Sequence, residues 1–191
     1  GLLSQSGLIA LALLGAPAAE VGAFAAAAST VGLVVVCASA TNRAYGRRLS
    51  LLLERRDHAG LQRLRRRRLG WLLPSVLAFL LACTLYGREL LLLFGRDFAA
   101  HGTQALLLLA AGASLAVLLA LAPTCLKYLR RTRTMFTAVA GGVLLQSLSL
   151  ALLVPRFGAT GAAAAYLLSI GSLYLCFGWL AHRALVALRE A

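Results

Sequence analysis

The side chains that most often carry out acid–base chemistry in enzymes are few in this chain and are scattered along it. The three histidines, His58, His101 and His182, are unpartnered in the sequence. Asp57 and Asp97 are expected on opposite sides of a membrane, for reasons given below. Catalysis by general acids and bases needs such groups in pairs, or a metal site. We therefore expect that the chain is not an enzyme.

The four cysteines do not have the spacing of a metal site. They lie inside or at the ends of different apolar runs, at Cys37, Cys83, Cys125 and Cys176. Close pairs of cysteines and histidines are typical of zinc sites, and none occurs here. Cysteine also packs as a small apolar residue. We expect no disulfide, no metal and no cofactor.

The composition predicts an all-α integral membrane protein. Of the 191 residues, 61% are hydrophobic and 13% are charged, whereas soluble domains have about a half and about a quarter. The mean hydropathy is +0.85. Leucine and alanine dominate, and the period-two alternation of a membrane barrel is missing.

Six apolar runs approach or reach the roughly 20 residues that cross a bilayer as a helix. The first run is short, and no charged segment or cleavage site precedes it, so we do not interpret it as a signal peptide. We expect the chain to be a fragment of a longer membrane protein. The expected spans are 1–15, 21–42, 69–86, 103–126, 134–154 and 162–180.

The basic residues predict the topology. A net charge of +13 could indicate nucleic-acid binding, but the arginines cluster between apolar runs. With six spans, sixteen of the 19 basic residues fall on one side, in 43–68, 127–133 and the C-terminal tail. Basic loops stay in the cytoplasm. We therefore expect a multi-pass protein of the cytoplasmic (inner) membrane with both ends of the chain in the cytoplasm.

The basic segment at about 47–68 is predicted to form an amphipathic linker helix. Its leucines recur at three- and four-residue spacings, and arginines fill much of the rest. Such a helix lies on a membrane surface with its arginines near anionic headgroups. A more specific alternative is that the segment binds nucleic acid, but no aromatic residues alternate with the arginines to stack on bases. The expected partner is the lipid bilayer with its anionic headgroups, and no nucleic acid.

A turn is predicted between the last two spans, within 152–166. Pro155 lacks an amide hydrogen and ends the first run. Gly158 and Gly161 allow the backbone angles of a tight reversal, and four alanines begin the next run. Arg156 is the one charged residue of the turn. The charge distribution places this hairpin on the outer side of the membrane.

Three stretches resemble the polysaccharide biosynthesis/oligosaccharide flippase family of the multidrug/oligosaccharidyl-lipid/polysaccharide exporter superfamily. The stretch Val154-Pro155-Arg156-Phe157-Gly158-Ala159-Thr160-Gly161-Ala162-Ala163 is similar to the family's "IPxxGxxGAA" hairpin. Leu91-Leu92-Leu93-Phe94-Gly95-Arg96-Asp97-Phe98 is similar to its "lxxlFGxxF", and Glu20-Val21-Gly22-Ala23-Phe24 to its "vGxY". Their order and spacing agree with the family, and together they cover nearly the whole chain.

The resemblance implies that the chain is the C-terminal half of such an exporter, with six transmembrane helices forming one half of a two-bundle alternating-access transporter. The partners would be the missing N-terminal transmembrane half and a polyprenyl-linked oligosaccharide, which the protein would flip for surface polysaccharide synthesis. In the family the first two spans of this half line the pathway. The polar candidates there are Gln5, Ser29, Thr30, Asn42 and Arg43. Arg43 could meet the pyrophosphate, because a guanidinium fork matches phosphate oxygens.

Other interpretations stay open. Serine and threonine in a membrane helix often bond to their own backbone or to a neighbouring helix, and positive-inside anchoring explains Arg43 equally well. A lipid II or multidrug exporter of the same superfamily is an alternative, although an antiporter would be expected to have acidic residues within its spans. A non-catalytic membrane subunit is a further alternative, and a polyprenyl-phosphate glycosyltransferase is disfavoured by the missing catalytic pairs.

Overall fold

The structure, a computed structural model, describes residues 2–55, 57–129 and 132–190, and these residues form α-helices joined by short turns. Gly1, in the first expected span, and Arg130 and Arg131, in the second basic segment, lie outside the described residues. The helices are α1 (Leu2–Leu13), α2 (Ala18–Glu54), α3 (His58–Leu92), α4 (Arg96–Leu119), α5 (Leu121–Tyr128) and α6 (Thr132–Glu190).

Within the described residues, four stretches of helix are long and apolar enough to cross a membrane. They are Ala18–Leu52, Ala59–Leu92, Gly102–Tyr128 and Thr132–Ala184. The chain is therefore all-helical and has the character of a multi-pass membrane protein. The α1 helix has only 12 residues, and the count of six spans remains a prediction.

The long helix α6 folds back on itself at Gly158. Its backbone angles there are φ 52° and ψ −130°, which an L-residue with a side chain rarely adopts. A Cβ placed on Gly142 would lie 3.4 Å from a Leu173 methyl group, so residues on either side of the turn pack together. We call 132–157 the first arm and 159–190 the second arm. The reversal falls within the stretch in which Pro155, Gly158 and Gly161 predict a turn.

The α4 helix occupies the centre of the bundle and packs against α2, α3 and α6. Its buried face consists largely of alanines and leucines, and the start of the second arm contributes Ala162, Ala163 and Ala165. Small residues allow helix backbones to approach closely inside a membrane. A Cβ on Gly112 would lie 3.0 Å from the Tyr166 ring, so this contact has no room for a larger residue.

The segment 47–68 differs from the single surface helix expected there. The α2 helix continues to Glu54, and α3 begins at His58 after Asp57, whose carboxylate accepts a hydrogen bond of 2.8 Å from the Gly60 amide. An acidic N-cap of this kind starts a new helix. The leucines of the segment include Leu49, Leu61 and Leu64, which are buried and pack in a cluster with Leu126 and Phe177. The apolar face is thus covered by the protein's own helices.

Candidate functional site

Arg68 is the one charged side chain among the buried residues of the described chain, with 1% of its surface exposed. Its Nη1 donates to the Leu118 carbonyl at 3.2 Å. Its Nη2 donates to the Val117 carbonyl at 3.0 Å and to the Asn42 Oδ1 at 2.5 Å. The guanidinium therefore joins α2, α3 and the end of α4. We call Arg68, Asn42 and the two carbonyls the polar cluster.

The carbonyls in the polar cluster need outside donors because the helix is interrupted there. The α4 helix ends at Leu119, Ala120 separates it from α5, and Pro123 lies in the first turn of α5. The last carbonyls of a helix have few donors from their own helix: the Val117 carbonyl accepts a long bond of 3.4 Å from the Ala120 amide, and Pro123 leaves the neighbouring Leu119 carbonyl without its usual donor. A cation beside these carbonyls is also favoured by the helix dipole. Arg68 therefore stabilises the break between α4 and α5.

Three of the five N–H groups of Arg68 donate within the polar cluster. Its buried Nε has no hydrogen-bond partner within the described part of the chain. A guanidinium offers five donors in a fixed plane and matches phosphate or carboxylate oxygens. The arrangement can thus change hydrogen-bond partners when helices move. Among the described residues, no three His, Cys, Asp or Glu side chains gather as metal ligands.

A second polar contact lies at the turn of α6. Glu20, near the start of α2, accepts a hydrogen bond of 3.1 Å from the Ala159 amide through its Oε2. This amide is the first of the second arm, and a carboxylate is favourable at a helix N-terminus because the amides there are unpaired and the dipole is positive. A Cβ on Gly158 would collide with the same carboxylate. Glycine at 158 is therefore required by the backbone angle and by the approach of Glu20.

The turn between α3 and α4 reaches the same end of the bundle. A Cβ on Gly22 would lie 2.5 Å from the Phe98 ring, and Gly95, at φ 148°, also packs against this ring. Gly22 is two residues from Glu20, which contacts Ala159. The three stretches with family-like motifs are therefore neighbours in space. We call Glu20, Gly22, Phe98, Gly158 and Ala159 the motif cluster.

Of the five candidates chosen from the sequence, Asn42 is part of the polar cluster. Ser29 and Thr30 donate to the carbonyls of Ala25 and Ala26, four residues earlier, at 2.8 and 2.9 Å. This backbone bonding is the alternative considered for them. The side chains of Gln5 on α1 and Arg43 on α2 are exposed. Asn42 and Arg43 are neighbours on α2, which also carries Ser29 and Thr30, whereas Gln5 lies on α1.

Sequence reasoning missed Arg68, which lies in the segment 47–68, whose arginines are expected near anionic headgroups. The signal that could have found it is the leucine stripe of α3. Leu61 and Leu64 are buried, and steps of four residues from Leu64 lead to Arg68, Leu72 and Val76, all of which are buried. A helix places such positions on one face. One of the four arginines at 65–68 therefore had to face the bundle.

The chain matches no family model, no curated protein and no solved structure.

Proposed function

We propose that this chain is the C-terminal half of an exporter that flips a lipid-linked oligosaccharide across the cytoplasmic membrane for surface polysaccharide synthesis. Transport would proceed by alternating access between this helix bundle and a second one. The end of the bundle that carries Arg65 and Arg68, which we call the basic end, would face the cytoplasm, and the motif cluster would face outward. Six crossings would result if α1 and both arms of α6 each span the membrane.

The observation that carries this proposal is the motif cluster. The three stretches behind the resemblance lie as many as 139 residues apart in sequence, yet Glu20 bonds to Ala159 and Gly22 packs against Phe98. Unrelated short similarities have no reason to meet in space. If these residues must pack against one another at one end of a bundle, the chain needs all three motifs. This requirement explains why the motifs occur together and in order.

The polar cluster supports transport rather than a passive membrane anchor. Polar and charged groups inside a membrane bundle are costly and mark functional positions, and interrupted helices occur in transporters beside binding sites. The α4–α5 break is held by hydrogen bonds to a side chain, which can be exchanged more easily than those of a continuous helix. We infer that Arg68 and Asn42 hold the break in one state of the transport cycle.

One face of α2 offers a surface for the pathway or the second bundle. Positions 29, 33, 36, 40 and 43 follow helical spacing and are all exposed. This face begins with Ser29, continues through Leu33 and Val36, and ends with Arg43. A polar group at each end and apolar residues between them suit a substrate with a charged pyrophosphate and a lipid chain.

Deletion of the gene that encodes this chain tests the proposal. Surface polysaccharide should disappear, and lipid-linked oligosaccharide should accumulate on the cytoplasmic leaflet. The full-length protein should restore export, whereas Asn42→Ala and Arg43→Ala should reduce it at normal protein levels. Normal surface polysaccharide in the deletion strain would refute the assignment. Accumulation of murein precursors instead would identify a lipid II exporter, and normal export by both variants would remove these residues from the pathway.

A further inference from the structure

A cavity of about 310 Å³ lies at the basic end of the bundle. Its walls are mainly apolar and come from the ends of α2, α4 and the second arm, the start of α3, and α5; they include Leu49, Leu115, Leu119 and Cys125. Three lining residues are basic or can become so: Arg65, Arg68 and His182. An apolar chamber with cationic groups on its wall favours an amphiphile that carries negative charge.

The cavity opens between α3 and α6. These two helices are not a closely packed pair among the described helices, and the lining residues with exposed side chains are Arg65, Leu69 and His182. All three lie on α3 or α6, the two helices that do not pack closely against each other. The mouth therefore combines two groups able to bind an anion with an apolar edge.

Two tryptophans indicate how deep in the bilayer the mouth of the cavity lies. Trp71 is two residues beyond Leu69 on α3, and Trp179 follows the lining residue Gly178 on α6; their side chains are 41% and 57% exposed. The Arg183 guanidinium lies 4.8 Å from the Trp179 ring centre. Tryptophan is enriched at the membrane–water interface. The mouth therefore lies near the headgroups of the leaflet at the basic end.

We propose that this cavity binds an anionic phospholipid of that leaflet. The phosphate would contact Arg65 and His182 at the mouth, and the buried guanidinium of Arg68 would add positive charge to the wall. Part of one acyl chain would fill the apolar chamber. Basic pockets between transmembrane helices bind lipid phosphates in this way. A bound lipid would brace α3 against the second arm, where direct packing is missing.

The size of the cavity selects this occupant over a transported substrate. A volume of 310 Å³ is at the lower limit of the roughly 300–1,000 Å³ of ligand pockets. That is enough for part of one acyl chain, but far too little for an oligosaccharide. The site therefore does not depend on the proposed transport function.

Native mass spectrometry of the full-length protein in a neutral detergent tests the proposal. Palmitoyl-oleoyl phosphatidylglycerol and the matching phosphatidylcholine are the two probes, and the first should bind more tightly. Arg65→Gln should weaken binding of phosphatidylglycerol about fivefold, the equivalent of about 1 kcal/mol for one basic residue near anionic lipid. Arg66→Gln is the matched control, because Arg66 is exposed on the same helix but does not line the cavity.

A second pair of variants tests the chamber itself. Gly178→Leu fills it, since a Cβ there has only a Leu119 methyl group within 4.0 Å. Binding should fall at least tenfold, because each excluded methylene removes about 0.8 kcal/mol. Gly141→Leu is the control, because a Cβ at this exposed glycine of the first arm meets nothing within 4 Å.

Three results would overturn the proposal. Equal binding of the two lipids would show that the charge of the headgroup does not contribute to binding. Equal effects of Arg65→Gln and Arg66→Gln on binding of phosphatidylglycerol would show that the lipid binds a nonspecific basic surface. Undiminished binding by Gly178→Leu would place the acyl chain elsewhere. Polyprenyl phosphate is the third probe: if it binds through Arg65 and Gly178 and phosphatidylglycerol does not, the cavity serves the substrate's carrier instead.

Discussion

Arg68 shows how one residue of a uniform run takes a separate role. It is buried, whereas its three preceding arginines are exposed. Its hydrogen-bond partners Asn42, Val117 and Leu118 lie 26, 49 and 50 residues away. Such distant partners leave no local trace in the sequence, so composition alone assigns the whole run to the membrane surface. The burial pattern of α3 separates Arg68 from the others.

Replacing Arg68 tests its contribution to stability. Arg68→Met keeps an unbranched side chain but removes three hydrogen bonds, worth about 1 kcal/mol each inside a membrane bundle. The free energy of unfolding, measured in mixed micelles, should fall by about 3 kcal/mol through the loss of these bonds. Arg67→Met, at an exposed position, should change it by less than about 0.5 kcal/mol. Equal effects of the two substitutions would exclude a special role of Arg68.

At the scale of single elements, the turn within α6 depends on the glycine at position 158. Gly158→Ala would strain a backbone at φ 52°, which costs about 1–3 kcal/mol, and would push the Glu20 carboxylate away. We expect a fall in the unfolding free energy of about 2–4 kcal/mol from these two effects together. Gly141→Ala, in the open and helical part of the same element, should instead raise stability by about 0.5–1 kcal/mol.

The Glu20 contact predicts that two substitutions at this turn are coupled. Glu20→Ala removes the cap of the second arm and should cost about 1 kcal/mol. In the Glu20→Ala background, Gly158→Ala should cost less than in the wild-type protein, because the collision is relieved and only the backbone strain remains. Unfolding of the four proteins under the same conditions gives the coupling energy. Strict additivity would show that Glu20 and Gly158 do not interact.

The elements differ in how far the sequence predicts them. Of the residues that predict a turn, Gly158 makes the reversal in α6, at φ 52°. Pro155 does not end the first arm, and Gly161 has helical angles within the second arm. The structure of the segment 47–68 is harder to predict. The sequence pattern of an apolar helix face is the same whether that face contacts lipid or another helix. The buried leucines of this segment, Leu49, Leu61 and Leu64, pack against other helices. Asp57 caps the start of α3, so the segment is not one continuous helix. The sequence predicts one continuous span over 103–126, so it reveals neither the junction of α4 and α5 at Ala120 nor the contact of Arg68 with it.

At the scale of the whole molecule, the two ends of the bundle have different chemistry. The basic end holds the polar cluster and the lipid cavity, while the opposite end holds the motif cluster with the carboxylate of Glu20. The positive-inside rule predicts that the basic end faces the cytoplasm. The exporter proposal then requires that the two arms of α6 cross separately, with the turn at Gly158 outside.

Thiol labelling tests both the orientation and the separate crossing of the arms. Phe157, beside the turn, is 60% exposed, and Arg66 is exposed at the basic end. In spheroplasts, a membrane-impermeant maleimide should label Phe157→Cys directly, and Arg66→Cys only after permeabilisation. The wild-type protein, with its four native cysteines, gives the background. The reverse pattern would invert the topology. Labelling of both positions from one side would mean that the arms form a re-entrant hairpin, which would remove the six-span bundle on which the exporter proposal depends.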